Sequence, residues 1–448
     1  MRNTRNPFLL PALAATLCCM VVPLFKLALL EWGAPDPETA LFLEQYLAGR
    51  GVLESVFDPL RNDWGFYQGR ELSYFFDRLD ALWIGWSARH GILHFCSLWA
   101  LLFTAGSVFV QQYAIRQLMP KLPSWQAGMI SLLYLLLPQS GNAVYFRSAK
   151  PGAAFCLTTA GFLLLALARA PRREKEFSLA AGAGAALFGA SLFDRQGAFF
   201  AAAIATGAGA MLLAELLFFR TPETVRRRTA LAAATALAAT AAGTFCNLVL
   251  SPALIRFFNG YSPSGEYQQV TGLIRWETLL AGAEFLFGNL GAILTGMRNV
   301  GAAAAAFLLS AAAVAAMVRS RKPAFYFTAG CFTLLLGASW VCATGMFARH
   351  PVILHEQVMY GAYFLPTLAL LIPFAALALE QVPRRAGAVI LAAVTAVAVA
   401  GFALHPPEPP PGAREALRFL ESYRNGTFQE EEHPVPLSLR KLAERLEP

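Results

Sequence analysis

Apolar residues run along this chain in repeated blocks of roughly 20, the length that carries a helix across a bilayer. Eleven such blocks are legible, at about 8–30, 93–112, 125–138, 151–168, 178–193, 198–219, 230–250, 300–318, 325–347, 361–379 and 388–404. Helix is the default for each, because an unpaired backbone group in hydrocarbon costs several kcal/mol. No alternating pattern of barrel strands competes. The expected fold is therefore an all-α polytopic membrane protein of about 11 transmembrane helices, occupying 1–404.

Three polar stretches interrupt the pattern. The first, 31–90, is a long first loop that carries Glu31, Asp36, Glu38, Glu44, Glu54, Asp58, Asp63, Glu71, Asp77 and Asp80, ten of the chain's 28 acidic residues. It also holds Trp32, Trp64, Trp83 and Trp86, half of the eight tryptophans. The second, 251–298, contains Arg256, Tyr261, Glu266, Arg275, Glu277 and Glu284, with a short apolar helix expected near 285–295. The third is the tail 405–448, which opens on the proline-rich spacer HPPEPPPG and continues into two weakly helical segments.

Composition agrees with the pattern. The 448 residues are 56% hydrophobic and only 14% charged, where a soluble chain carries about a quarter charged residues. The first apolar run follows Arg2 and Arg5 and lacks a small-x-small cleavage site, so it is read as a retained first span rather than a signal peptide. All seven cysteines lie in apolar segments and fit no metal spacing or disulfide framework.

The net charge of +8 does not imply nucleic acid, because of where the cations sit. If the N-terminus is cytoplasmic, the inner loops hold Arg2, Arg5, Arg116, Lys121, Arg169, Arg172, Arg173, Lys175, Arg220, Arg226, Arg227, Arg228, Arg319, Arg321, Lys322, Arg384 and Arg385. The short outer loops hold only Arg147, Lys150, Arg195 and Arg349. That is the positive-inside asymmetry. It places loop 31–90, loop 251–298 and the tail on the outer, extracytoplasmic side.

Ionisable residues inside the spans are few. Lys26, Glu215 and Glu380 lie near span ends, where long side chains snorkel to the interface. No chain of acids crosses the bilayer, as a proton-coupled transporter often needs. The polar residues gather at the expected outer rim: Asp36, Glu38, Arg70, Glu71, Asp77, Asp80, Asn142, Arg147, Lys150, Asp194, Arg195, Arg349, His350, His355 and Glu356. Acids and bases on one face suit a phosphorylated lipid substrate. A carboxylate can deprotonate an acceptor hydroxyl, and cations can stabilise a phosphate leaving group.

Two motifs carry a resemblance. Tyr145-Phe146-Arg147-Ser148-Ala149-Lys150-Pro151, at the start of the fourth block, resembles the Tyr-x-Arg-x-x-x-Pro-Asp outer loop of class C glycosyltransferases. Asp36-Pro37-Glu38, after the first block, resembles the Asp-Glu element of their first outer loop. Here Pro37 splits the acid pair, and Gly152 stands where the pattern has an acid.

The resemblance, to a class that includes protein mannosyltransferases and aminoarabinose transferases, implies an enzyme of a bacterial inner membrane. It would transfer a sugar from a polyprenyl-phosphate donor to an extracytoplasmic acceptor. Asp36, then Glu38, would be the catalytic base, and Arg147 and Lys150 would bind the donor phosphate. Arg70, Glu71, Asp194, Arg195, Arg349 and His350 complete the candidate binding set by position. The resemblance assigns no cofactor; a divalent metal stays open, with no ligands assigned. A transporter or flippase for a lipid-linked or anionic substrate, and a non-catalytic relative, are the alternatives.

Overall fold

The computed structural model describes residues 49–57, 70–90, 97–118, 122, 124–136, 148–168, 175–259, 275–295, 299–319, 322–349, 369–372, 379 and 382–404. Every regular element among them is helical. In chain order these are α1 (Val52–Phe57), α2 (Glu71–Arg89), α3 (Leu98–Leu118), α4 (Ser124–Leu136), α5 (Ala149–Ala168), α6 (Glu176–Phe193) and α7 (Arg195–Leu217). They continue as α8 (Glu223–Phe245), α9 (Ser251–Asn259), α10 (Trp276–Thr295), α11 (Val300–Arg319), α12 (Pro323–Arg349) and α13 (Arg384–Leu404).

Among the described residues, six helical stretches are long and apolar enough to cross a membrane: Ala149–Ala168, Glu176–Phe193, Gln196–Leu217, Glu223–Phe257, Val300–Arg319 and Pro323–Gly345. The described residues thus form an all-α structure with helices of membrane-spanning length and apolarity. The expected first span, most of the tenth and the tail lie outside the described residues.

The core is an apolar cluster shared by α3–α8 and α10–α13, with Leu157, Leu164, Leu187, Ile204, Phe327 and Leu335 fully buried. In lipid the tails are as apolar as leucine, so helices associate by close packing more than by hydrophobic expulsion. The α7–α12 crossing shows this. A methyl group on Gly207 would strike the Cys331 sulfur and lie 2.9 Å from the Phe327 carbonyl oxygen. Only glycine permits that approach.

Two expectations change in the second polar stretch. The seventh span does not stop at 250. A π-helical turn, Cys246–Leu250, joins α8 to α9, and the Ser251 amide donates to the Cys246 carbonyl. That wider register carries the helix past Pro252, which lacks an amide donor. The short helix expected near 285–295 is also a full helix, α10, beginning at Trp276. It packs closely on its neighbours: a methyl at Gly291 would meet Ala302 of α11, and one at Gly282 would lie 3.0 Å from the Thr344 nitrogen of α12.

A third change concerns Glu215. It does not snorkel: it is 3% exposed and its carboxylate accepts from the Thr229 hydroxyl at 3.1 Å. The adjoining Arg228 guanidinium meets Glu176 at 2.7 Å. These pairs hold the start of α6, the end of α7 and the start of α8 together at one end of the bundle. The same end has Phe219 edge-on to Tyr326, with centroids 5.7 Å apart.

Candidate functional site

The opposite end of the bundle gathers the start of α5, the junction of α6 and α7, and the end of α8. The α6–α7 junction turns on one residue. Asp194 has extended backbone, closes α6 and caps α7, its carboxylate accepting from the Gln196 amide at 2.9 Å. An Asp in this position satisfies one of the amides that the first helical turn leaves open. The same carboxylate reaches α5, where the Lys150 ammonium lies 2.5 Å away. Lys150 also donates to the Gln196 side-chain oxygen at 2.7 Å.

Lys150 and Asp194 are both buried, and Arg70, at the foot of α2, is nearly so. Burial pushes the Asp194 carboxyl up. The Lys150 and Arg70 charges outweigh this and hold it at about 2, so Asp194 is ionised at any physiological pH. Beneath the pair lies an aromatic floor. The Phe193 ring stacks on Phe76 at 5.6 Å and sits edge-on to Phe103 at 5.0 Å. Apolar rings on one side strengthen the ion pair by lowering the local dielectric.

Phe193 also explains Gly152. A methyl group placed on Gly152 would fall within the Phe193 ring. The position where the class C pattern carries an acid has no room for a side chain.

Asp77 and Asp80 do not join the ion pair. They stand three residues apart on α2, and each holds the first turn of another helix. Asp77 accepts from the Ser148 amide at 3.0 Å and hydroxyl at 2.8 Å, and its second oxygen accepts from the Ser73 hydroxyl at 2.9 Å. Asp80 accepts from the Leu98 and Trp99 amides at 3.0 and 3.3 Å, and from the Ser97 hydroxyl. So α2 lies against the starts of α3 and α5 and fixes both. Burial pushes Asp77 up to about 8, a tendency its Ser148 bonds oppose and the neighbouring Asp80 reinforces. Burial likewise pushes Asp80 up to about 7 against three such bonds.

Of the residues expected to form the site, Lys150, Asp194 and Arg70 are brought together. Glu71 opens α2 directly after Arg70, Arg195 opens α7 directly after Asp194, and Arg349 closes α12. Asp36, Glu38, Arg147 and His350 lie outside the described residues. Gln196 was not anticipated; its place in the turn after an N-cap aspartate was the available signal. Among the described residues no group of three His, Cys, Asp or Glu side chains could hold a metal ion. Compared with known proteins, the sequence matches no family model and no curated protein.

Proposed function

We propose that this chain is an integral membrane glycosyltransferase that moves a sugar from a polyprenyl-phosphate donor to an extracytoplasmic acceptor. The observation that supports it best is the buried meeting of Lys150, Arg70 and Asp194 at the bundle end away from the Arg226–Arg228 turn. By the positive-inside rule the arginine-rich end is cytoplasmic, and the Lys150 end then faces outward. The eleven-span count and the cytoplasmic N-terminus belong to the same reading.

In the proposed reaction the acceptor hydroxyl attacks the anomeric carbon of the donor sugar. The bond from that carbon to the phosphate oxygen breaks, and the phosphate leaves with the electron pair. Lys150 and Arg70, with Arg147, are the cations that would stabilise the leaving charge. A carboxylate takes the hydroxyl proton. Asp77 and Asp80 are poor candidates, since both are occupied by helix starts. Asp36 is the proposed base and Glu38 the second choice.

A non-catalytic role is the second reading, favoured by the closed space at Gly152. Lipid analysis of cells lacking the protein separates the two. Glycosyl transfer requires that a polyprenyl-phosphate sugar and an unmodified acceptor accumulate, and that Asp36→Asn fail to restore the profile. An unchanged lipid profile, or full restoration by Asp36→Asn, overturns the enzymatic reading.

A further inference from the structure

At the arginine-rich end, α7 and α8 leave a groove of about 330 Å³ lined by Leu212, Leu216, Glu223, Arg226, Arg227 and Ala230. Its composition is layered along the helices. Arg226 closes the first turn of α8 and Arg227 opens the second, close to the α7–α8 turn. Leu216 lies near the end of α7, and Leu212 and Ala230 lie about one turn deeper on their helices. The outermost layer is cationic and the layer beneath it is apolar.

The neighbouring acids account for the two arginines only in part: Glu215 lies within electrostatic reach of Arg226, but its carboxylate is bonded to Thr229 and closes no ion pair with either arginine. Arg228 is engaged by Glu176. Arg226 and Arg227 are both exposed, and neither forms an ion pair with a described residue. Cations near the start of a helix also face the positive end of its dipole, so an anion in the groove relieves an unfavourable arrangement. Leu213, Leu216 and Leu217 are each more than half exposed along the same flank. Such a surface belongs against acyl chains rather than water.

We infer that this groove binds an anionic phospholipid, its phosphate against Arg226 and Arg227 and its acyl chain along Leu216 and Leu212. The inference rests on the membrane-spanning fold alone and is independent of sugar transfer. Two guanidinium groups match phosphate oxygens in charge and geometry. Glu223, the one acid in the lining, disfavours excess negative charge and sets the site for a headgroup of single net charge.

The test is native mass spectrometry of the full chain released from detergent, supplied with phosphatidylglycerol, phosphatidylethanolamine or phosphatidylcholine. The wild-type chain is expected to retain phosphatidylglycerol in preference to the other two. Arg226→Gln with Arg227→Gln should lower that retention by about tenfold or more. Lys322→Gln, at the same end but outside the groove, should leave it unchanged, and Glu223→Gln should raise it. Glycerol 3-phosphate, which has the phosphate but no chains, should not displace the lipid.

Equal retention of phosphatidylglycerol by the double variant overturns the inference. So does an equal loss in Lys322→Gln, which would mean generic charge attraction. A fall on Glu223→Gln, together with a preference for phosphatidylethanolamine, would assign the groove to a zwitterionic headgroup and likewise overturn it. Because Glu223→Gln acts in the opposite direction to the arginine pair, loss of fold cannot imitate the expected pattern.

Discussion

The Lys150 ammonium lies 2.5 Å from the Asp194 carboxylate, and the two side chains are 7% and 2% exposed. The pair joins the start of α5 to the α6–α7 junction, and Gln196 binds both partners. A buried charge is tolerable only while its partner remains. Asp194→Asn leaves Lys150 and Arg70 facing each other, so it should cost about 3–5 kcal/mol. Lys150→Met should cost less, because Asp194 keeps the Arg70 charge. Combining the two should recover part of the loss. Thermal denaturation midpoints of the four proteins in detergent check the order.

Asp77 should make the fold pH-sensitive. Its carboxyl is raised to about 8 from an ordinary value near 3.8. Between those values the folded chain keeps the proton and the unfolded chain releases it. Stability should therefore fall as pH rises from about 4 to about 8 and then level off, by at most about 1.4 kcal/mol per pH unit for this group. Asp80 adds the same sign up to about pH 7. Asp77→Asn should flatten the slope while leaving neutral-pH stability nearly intact. Asp77→Ala strands the Ser148 amide and should cost about 1–3 kcal/mol. A denaturation series from pH 4 to 9 reads both effects.

The contact between Gly152 and Phe193 should be equally selective. Gly152→Ala forces a methyl group into the ring and should cost about 1–3 kcal/mol. Pairing it with Phe193→Leu opens that space. The double variant should be more stable than the sum of the single changes implies, although Phe193→Leu also loses the stack on Phe76. A double-mutant cycle on denaturation midpoints measures the coupling.

Orientation is testable at two described positions. His90 follows α2, the helix whose Asp77 and Asp80 hold the starts of α5 and α3, and Lys175 precedes α6, whose Glu176 pairs with Arg228 at the arginine-rich end. With His90 and Lys175 each replaced by cysteine in turn, a membrane-impermeant thiol reagent applied to intact cells should label the His90 position and spare the Lys175 position. The reverse pattern would invert the topology and remove the basis for extracytoplasmic transfer.

Much of this arrangement was legible from residue order. The apolar blocks at 151–168, 178–193 and 300–318 fall on α5, α6 and α11 within a few residues, because alanine- and leucine-rich runs have no competing structure in lipid. Lys150 and Asp194 were legible as polar residues at span ends and Arg70 as a cation of the first loop, but their meeting depends on the antiparallel return of α6 onto α5. The second block was expected at 93–112, whereas α3 runs Leu98–Leu118. Asp80, 17 residues upstream of Ser97, sets that start, and no local propensity reports so distant a cap. Glu277 and Glu284 made the start of α10 look like loop. Its contacts with Ala302 and Thr344, remote in sequence, make it a packed helix. The seventh block was expected to end at 250, and the π-helical turn Cys246–Leu250 instead carries the helix on past Pro252.

The most direct test of the proposed site is binding of polyprenyl monophosphate, the donor without its sugar, to the purified chain in detergent. The wild-type protein should bind it saturably. Arg70→Gln and Lys150→Gln, checked for intact thermal transitions, should each weaken binding by about tenfold, the loss of one charge-assisted phosphate contact. Binding unchanged in both folded variants, or no saturable binding by the wild-type chain, would contradict the assignment of the Lys150–Asp194 end as a phosphate site.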